Sequence, residues 1–443
     1  MRIPRAVAFA LSFALAIGVG ACSKQSGQQP QRNYLGAFLY GSDGNIYNGF
    51  AKPFENEPGI LSGMKGTAPM AQLSAEFIGR LKKVEPGLND LLFAGETYDA
   101  VVISAIAAQV AGTTDPRQIA KQINGVTIGA DPCNTVATCL ELARNGKDPA
   151  YRGVTVRNGF TPAGEPSTAS YGTFHFGPDN RLDDDKTEFL NAGNENQATK
   201  EHAAHPSGGN KASGPLVIGG LLPITGSLAS AYPPMITGAR LAIKEINEAG
   251  GVFGKDVIWH DGDDYTDPQK ALTTVARHKA EGVHVIIGAA ASGVTRAVLP
   301  EVVKAGMVLF SPSNTAESLS TVDDQGLYFR TAPSDILQAR ALADVILRDG
   351  TRTVCIVARG DAYGEGLMAG VAKELAAAGL SPSSIKTFKY DLDTGGMVKD
   401  QNQVNVFARQ ITDQQPDGVV VIGFDESADV IKALVKDGIK FRH

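Results

Sequence analysis

PLVIGGLLPITGSLASAY (215–232), which opens into the helical GARLAIKEINEAGG (238–251), decides the fold. An apolar strand runs into a turn of small and hydroxyl residues, and the turn feeds a helix. The arrangement recurs in VHVIIGAAASGV (283–294) leading to TRAVLPEVVKAG (295–306), and again in MVLFSPSNTAESL (307–319), whose turn carries Ser313, Asn314 and Thr315. Strands that each feed a helix run parallel, and their C-terminal turns line one edge of an open α/β sheet, where such folds hold ligands. Hydroxyls and free N–H groups at helix starts suit a carboxylate or another anion. This edge reads as a binding edge.

Strand–helix alternation continues to the C-terminus. The spacing predicts strands at Leu216–Leu222, Asp256–His260, Val283–Gly288, Met307–Phe310, Val354–Ala358, Thr387–Tyr390 and Gly418–Ile422. Thr266, Asp267 and Pro268 start a helix that Gly282 stops. Before residue 186 the chain reads as a strand from Asn33 to Tyr40, a strand within ILSGMKGTAPM, and helices over Leu73–Lys83 and Tyr98–Ala111. The last of these is nearly all apolar, hence buried on most faces. From Tyr151 short strands follow, RGVTVRNGF and the alternating ASYGTFHF. Residues 186–214 are polar and rich in Gly, Ser and Asn, which reads as a linker with His202 and His205 solvated inside it.

A chain of 443 residues is too long for one core and implies two or more lobes. Its 41 basic and 47 acidic residues are scattered rather than striped, which argues against a nucleic-acid partner. Arg2 and Arg5 precede an apolar run, Ala6 to Val19, too short to span a bilayer, as in an export signal. The run ends in Val19-Gly20-Ala21-Cys22, which resembles a bacterial lipobox with Cys22 as the lipidated residue, followed by a polar tether over 23–32. The expectation is an exported protein anchored to a membrane surface. Export makes Cys133 and Cys139, six apart across a turn, a disulfide rather than half of a metal site. Cys355 reads as a buried thiol.

The segments PLVIGGLLPITG, GARLAIKEINEAGGV, DGDDYTDPQKA, IIGAAASGVTRAV, LFSPSNTAESL, YFRTAPSD and VARGDAYGEG together resemble the N-terminal two thirds of branched-chain amino-acid-binding proteins. These are type I solute receptors of ABC importers. GSDGN (41–45), YDAVVISAIAA (98–108) and GKDPAYRGVTVRNGF (146–160) resemble that family's C-terminal third. The order departs from the family's, because its C-terminal third stands here as residues 33–185, ahead of its beginning at 215. The resemblance therefore implies a circularly permuted protein, with 186–214 joining the former ends. A flexible linker of 29 residues spans roughly 30 Å, enough for that connection. The implied fold is α/β, two doubly wound Rossmann-like lobes joined by a hinge crossed three times, near 70, 152 and 333. One lobe comprises 70–152 and 215–333, and the other 33–69, 153–185 and 334–443.

The resemblance also implies a function: an amino acid, branched-chain or similar, is captured between the lobes and delivered to an ABC permease. Relatives of this architecture also take amides, short-chain acids or aromatic compounds. Ser292 and Thr315, with the backbone of Gly293 and Asn314, are the expected carboxylate donors. Asp43 matches the family position that holds the ligand's ammonium, and Tyr363 the ring that closes over it. Phe424 falls at or beside a second aromatic position, with Asp425 as the alternative contact there. Tyr232 is offset by one from an aromatic in the first loop. No P-loop, GxSxG elbow or nucleophile–histidine pair is present, and Gly364, Gly366 and Gly370 have the wrong spacing for a dinucleotide loop. A binding protein without cofactor or catalytic metal is the expectation.

Overall fold

Long apolar runs rich in Val and Ile, such as GVVVI (418–422), VCIVAR (354–359) and VIIG (285–288), have every residue buried, as strands covered on both faces require. The computed structural model describes residues 34–206 and 214–442. The expected export signal 1–22, Cys22, the tether 23–32 and part of the expected linker lie outside the described residues.

The strands form two main sheets. One has five parallel strands in the order Tyr328–Arg330, Val308–Ser311, Val285–Gly288, Val217–Leu221, Ile258–His260. The other has seven, in the order Ile385–Tyr390, Val354–Arg359, Gly418–Ile422, Phe38–Ser42, Lys65–Pro69, Thr168–His175, Glu188–Gly193. Its first five strands are parallel and its last two antiparallel. Helices cover both sheets. The expected seven strands from 216 to 422 are all present, and Gly418–Ile422 matches to the residue.

The first described strand, Phe38–Ser42, thus lies beside the last, Gly418–Ile422. The end of the chain runs along its entry: Ala37 N–H donates to Lys440 O at 2.8 Å and Arg442 N–H to Ala37 O at 2.9 Å. Only glycine fits at Gly36, whose φ is +99° and where a Cβ would sit 2.5 Å from Lys440 O.

All eighteen residues of the helix Ala94–Ala111 are buried. It packs on the helix Tyr232–Glu248 at Gly238, where a Cβ would sit 2.2 Å from Ala94 O. Asp99, fully buried in this helix, accepts hydrogen bonds from Tyr151 Oη (2.7 Å) and from the N–H groups of Val154 (3.0 Å), Thr155 (2.7 Å) and Val156 (2.9 Å). These donors explain a correction. RGVTVRNGF was expected to be a strand, but the N–H groups of Val154, Thr155 and Val156 go to a carboxylate instead of a ladder.

A second correction concerns 186–214. Its first part is not a free linker, because Glu188–Gly193 forms the edge strand paired antiparallel with Thr168–His175. The polar residues that follow it hid a short strand exposed along most of its length. His202 Nδ1 lies 2.6 Å from Asp148 Oδ2 and His205 Nε2 lies 2.7 Å from Lys147 O, so both histidines rest on the protein surface.

Cys133 and Cys139 form the expected disulfide, with their Cα atoms 5.3 Å apart. Closing a loop this short constrains the unfolded chain by about 2 kcal/mol. Replacing both cysteines with alanine is expected to lower the free energy of unfolding by that amount, read as a lower urea midpoint. An unchanged midpoint would contradict this.

Candidate functional site

The C-terminal turns of both sheets face one another across a small cavity. From the five-stranded side come Ala290, Ala291 and Ser292, after the strand Val285–Gly288, and Ser313 and Thr315, after Val308–Ser311. From the seven-stranded side come Asp43 and Gly44, after Phe38–Ser42, Tyr363, after Val354–Arg359, and Phe424, after Gly418–Ile422. Leu228, Ala231, Met235 and Phe93 supply an apolar wall. Segments far apart in sequence therefore share one site.

Asp43 lies at the acidic end. Its Oδ1 accepts from Tyr363 Oη and from Gln338 Nε2, each at 2.7 Å. Burial pushes its carboxyl up to about 6, and those two hydrogen bonds temper the rise. The Tyr363 hydroxyl lies 2.7 Å from Ser42 Oγ and accepts from Gly44 N–H, which fixes the ring. That ring stacks on Phe424 with centroids 5.4 Å apart and planes 18° from parallel. The Arg359 guanidinium covers Phe424 at 3.6 Å and is held by Glu426 and Asp361, each at 2.8 Å. The result is a rigid layered stack: cation, ring, ring.

The opposite end offers donors. The helix Ser292–Ala305 has no side-chain cap, so its first N–H groups remain open, and the Ser292 hydroxyl, which accepts from Ala316 N–H at 3.3 Å, keeps its own proton to donate. Thr315 Oγ1 is buried without a hydrogen-bond partner. The turn is braced from below by Asp264, which accepts from Ala290 N–H at 2.9 Å and Thr266 N–H at 2.8 Å. Burial holds the Asp264 carboxyl up at about 7. One acidic end, one donor end and an apolar wall suit a small zwitterion.

Asp43, Ser292, Thr315, Tyr363 and Phe424 thus come together. Four other expected contacts do not line the cavity. Asn314 is a strut: its amide donates to Ala289 O and Ala290 O, and its N–H goes to Ser311 Oγ. Gly293 faces a neighbouring groove beside Asp361, and Tyr232 begins its helix outside the cavity. Asp425 joins the two sides: it accepts from Tyr47 Oη at 2.6 Å and from Ser230 Oγ at 2.8 Å, and its N–H donates to Ser227 O at 3.0 Å. The sequence reading missed Phe93, Leu228, Met235 and Gln338. An apolar lining residue carries no signal in one sequence, and Gln338 reaches Asp43 from 295 positions away.

A sequence profile described as periplasmic binding protein matches residues 215–443. Leu/Ile/Val-binding protein BraC3 of Rhizobium johnstonii is 30% identical over 169 residues, covering 38% of this chain and 45% of that protein. A chemotactic signal transduction system substrate-binding protein, BasB of Halobacterium salinarum, is 31% identical over 172 residues, covering 37% of this chain and 42% of that one. The chain thus spans less than half the length of these curated relatives. Among solved structures, the branched-chain amino acid transporter substrate binding protein LivJ of Streptococcus pneumoniae, in complex with isoleucine, has a TM-score of 0.44 at 23% identity, covering 52% of this chain and 63% of that one. With the matched profile spanning more than half of its residues, the chain belongs to the periplasmic binding protein family.

Proposed function

We propose that this protein is an exported, lipid-anchored receptor that captures an amino acid in the cavity between its two sheets and delivers it to an ABC import permease. The observation that carries this reading is the cavity itself, with Asp43 at one end, Ser292 and Thr315 at the other, and apolar walls between. The ligand's ammonium goes to Asp43 and its carboxylate to the hydroxyls and the open helix start. Ser292, Thr315, Asp43, Tyr363 and Phe424 are the contacts; Gly293, Asn314, Tyr232 and Asp425 lie outside the cavity lining. Lipidation at Cys22 supplies the anchor. Calorimetric titration with the twenty amino acids tests the reading: saturable binding of one ligand per protein supports it, and no binding by any of them removes it.

The permuted order is part of the proposal. One lobe comprises 70–152 and 215–333, the other 33–69, 153–185 and 334–443, and the former ends are joined through 186–214. The adjacency of the strands Phe38–Ser42 and Gly418–Ile422 supports it, since an unpermuted chain passes directly from the second to the first.

Asp425 clasps the lobes through Ser230 Oγ and Ser227 O, and Tyr47 of its own lobe steadies the carboxylate. Hydrogen bonds to a charged group contribute about 1.5–3 kcal/mol. Asp425→Ala is therefore expected to speed ligand release by roughly tenfold or more, with little change in the association rate. Stopped-flow kinetics reads this, and an unchanged release rate would count against the clasp.

A second reading, ligand sensing for a membrane receptor, is favoured by the similarity to a chemotactic substrate-binding protein. Deleting the gene distinguishes the two: delivery predicts lost uptake, and sensing predicts lost signalling with uptake intact.

A further inference from the structure

We propose that residues 194–206 form a strap that resists parting of the two sheets, and so governs how readily the cleft between them opens. The inference goes beyond the amino-acid reading of the cavity and depends on no particular ligand.

The strands and the helices packed on them require four passages of the chain between the two sheets: after Pro69, after Tyr151, after Arg330 and after Gly193. The fourth begins where the edge strand Glu188–Gly193 leaves the seven-stranded sheet. The residues that follow are polar and read as a slack connection, yet 194–206 is fastened along its length.

At its start, Asn194 N–H donates to Ser167 O at 2.9 Å, and the Asn194 side chain caps the single turn Glu195–Gln197. Thr199 is buried, and its N–H donates to Phe160 O at 2.7 Å. Ser167 and Phe160 belong to the second passage, so the fourth lies against the second as it crosses. The far end is anchored on the five-stranded side. Ala204 N–H donates to Gln122 Oε1 at 2.8 Å, His202 Nδ1 lies 2.6 Å from Asp148 Oδ2, and His205 Nε2 lies 2.7 Å from Lys147 O. Gln122 stands on the helix Pro116–Ile123, which packs on Ala94–Ala111. Ala203 lies directly on Gly125, where a Cβ would come within 2.3 Å of Ala203 N, so the close approach needs glycine. The same turn, Gly125–Thr127, also holds the second passage: Thr127 Oγ1 accepts from Phe160 N–H at 3.0 Å, and Arg152 Nη1 donates to Thr127 O at 2.7 Å. Strap and second passage thus converge on one turn.

Two bodies joined by a hinge part through φ/ψ changes in a few residues of each connection. A connection free in water makes those changes alone. One that is hydrogen-bonded to its neighbour makes them only by breaking those bonds. Only residues 194–201 lie between the sheet pairing that ends at Gly193 and the anchor at His202, and their bonds to Ser167 O and Phe160 O take up the slack. In the arrangement where Asp425 joins the two sides, every one of these bonds is made. Rotating the sides apart changes the separation of the two anchors, so the strap is strained or undocked. Its docking therefore adds to what holds the cleft shut.

The test is amide hydrogen exchange of the whole mature protein without ligand. Three N–H groups bridge the two sides and report their parting: Asp425 donates to Ser227 O at 3.0 Å, and Asn48 and Gly49 donate to the Asp90 carboxylate at 2.7 and 3.1 Å. The double variant Gln122→Ala, His202→Ala removes two anchors of the strap. Its three bridging amides are expected to exchange at least about fivefold faster than in the wild type, while amides within Gly418–Ile422 and Val285–Gly288 keep their rates. Gly125→Ala, which lifts the strap by crowding Ala203, is expected to act in the same direction through a different contact; the double variant alone decides if Gly125→Ala does not fold. Wild-type exchange at the bridging amides would overturn the strap. An equal acceleration inside the strands would overturn it too, since it would mark a loss of overall stability rather than easier opening. No ligand is present, so the outcome stands apart from whether an amino acid binds in the cavity.

Discussion

Asp43→Ala is expected to weaken amino-acid binding by roughly 3–5 kcal/mol, a loss of about 150-fold to a few thousandfold. The size follows from burial. Asp43 is 6% exposed, and its carboxylate faces a cavity otherwise lined on that side by aromatic rings and backbone. An ammonium bound there loses its water, and without Asp43 it gains no opposite charge in return. Asp43→Asn keeps the shape and separates charge from packing, so it should lose nearly as much. Tyr363 Oη and Gln338 Nε2 both donate to Asp43 in the wild type, and either variant leaves the stacked rings in position. Calorimetry on folded variants measures the effect. An affinity within about threefold of wild type, well under 1 kcal/mol, would remove Asp43 from the site.

Arg330→Ala is expected to cost about 3–5 kcal/mol of folding stability, the range for breaking a buried ion pair from one side. Arg330 is 1% exposed, and its guanidinium meets Glu165, Ser320 Oγ at 2.6 Å, Ala316 O at 3.0 Å and Asn314 O at 3.3 Å. Glu165 belongs to the segment between the strands Pro149–Tyr151 and Thr168–His175, and Arg330 ends the strand Tyr328–Arg330. The pair therefore ties together two of the chain's passages between the sheets. It also supports the Asn314–Ala316 turn, so ligand affinity should fall together with stability. Arg330→Lys should recover little, because an ammonium cannot reproduce a planar fork of donors. Chemical unfolding measures the loss, and a midpoint equal to that of the wild type would contradict it.

The parallel strands were legible because a strand buried on both faces writes itself as an unbroken apolar run, as GVVVI does. The strand Tyr328–Arg330 was not, since it is three residues long and ends in a charge whose partner lies 165 positions away. Glu188–Gly193 was hidden for another reason: it is a short edge strand, exposed along most of its length, and the polar residues after it read as a linker. In the site, Ser292 and Thr315 were reachable because they stand in turns after strands or at a helix start, whereas Asp43, Tyr363 and Phe424 were reached through the family resemblance. Asn314 and Asp425 stand in equally suitable turns, but their side chains are taken by Ala289 O and Ala290 O in one case and by Tyr47 and Ser230 in the other. Which hydroxyl or carboxylate is already occupied depends on partners distant in sequence. Gln338 and Asp264 were missed because their importance lies wholly in such partners.

A crystal structure of the protein grown with its tightest-binding amino acid tests the central claim most directly. The ligand is expected between the two sheets, its ammonium within hydrogen-bond distance of Asp43, its carboxylate at Ser292 and Thr315, and Tyr363 and Phe424 alongside. A ligand seated in another groove, or one in this cavity with its carboxylate turned toward Asp43, would contradict the account.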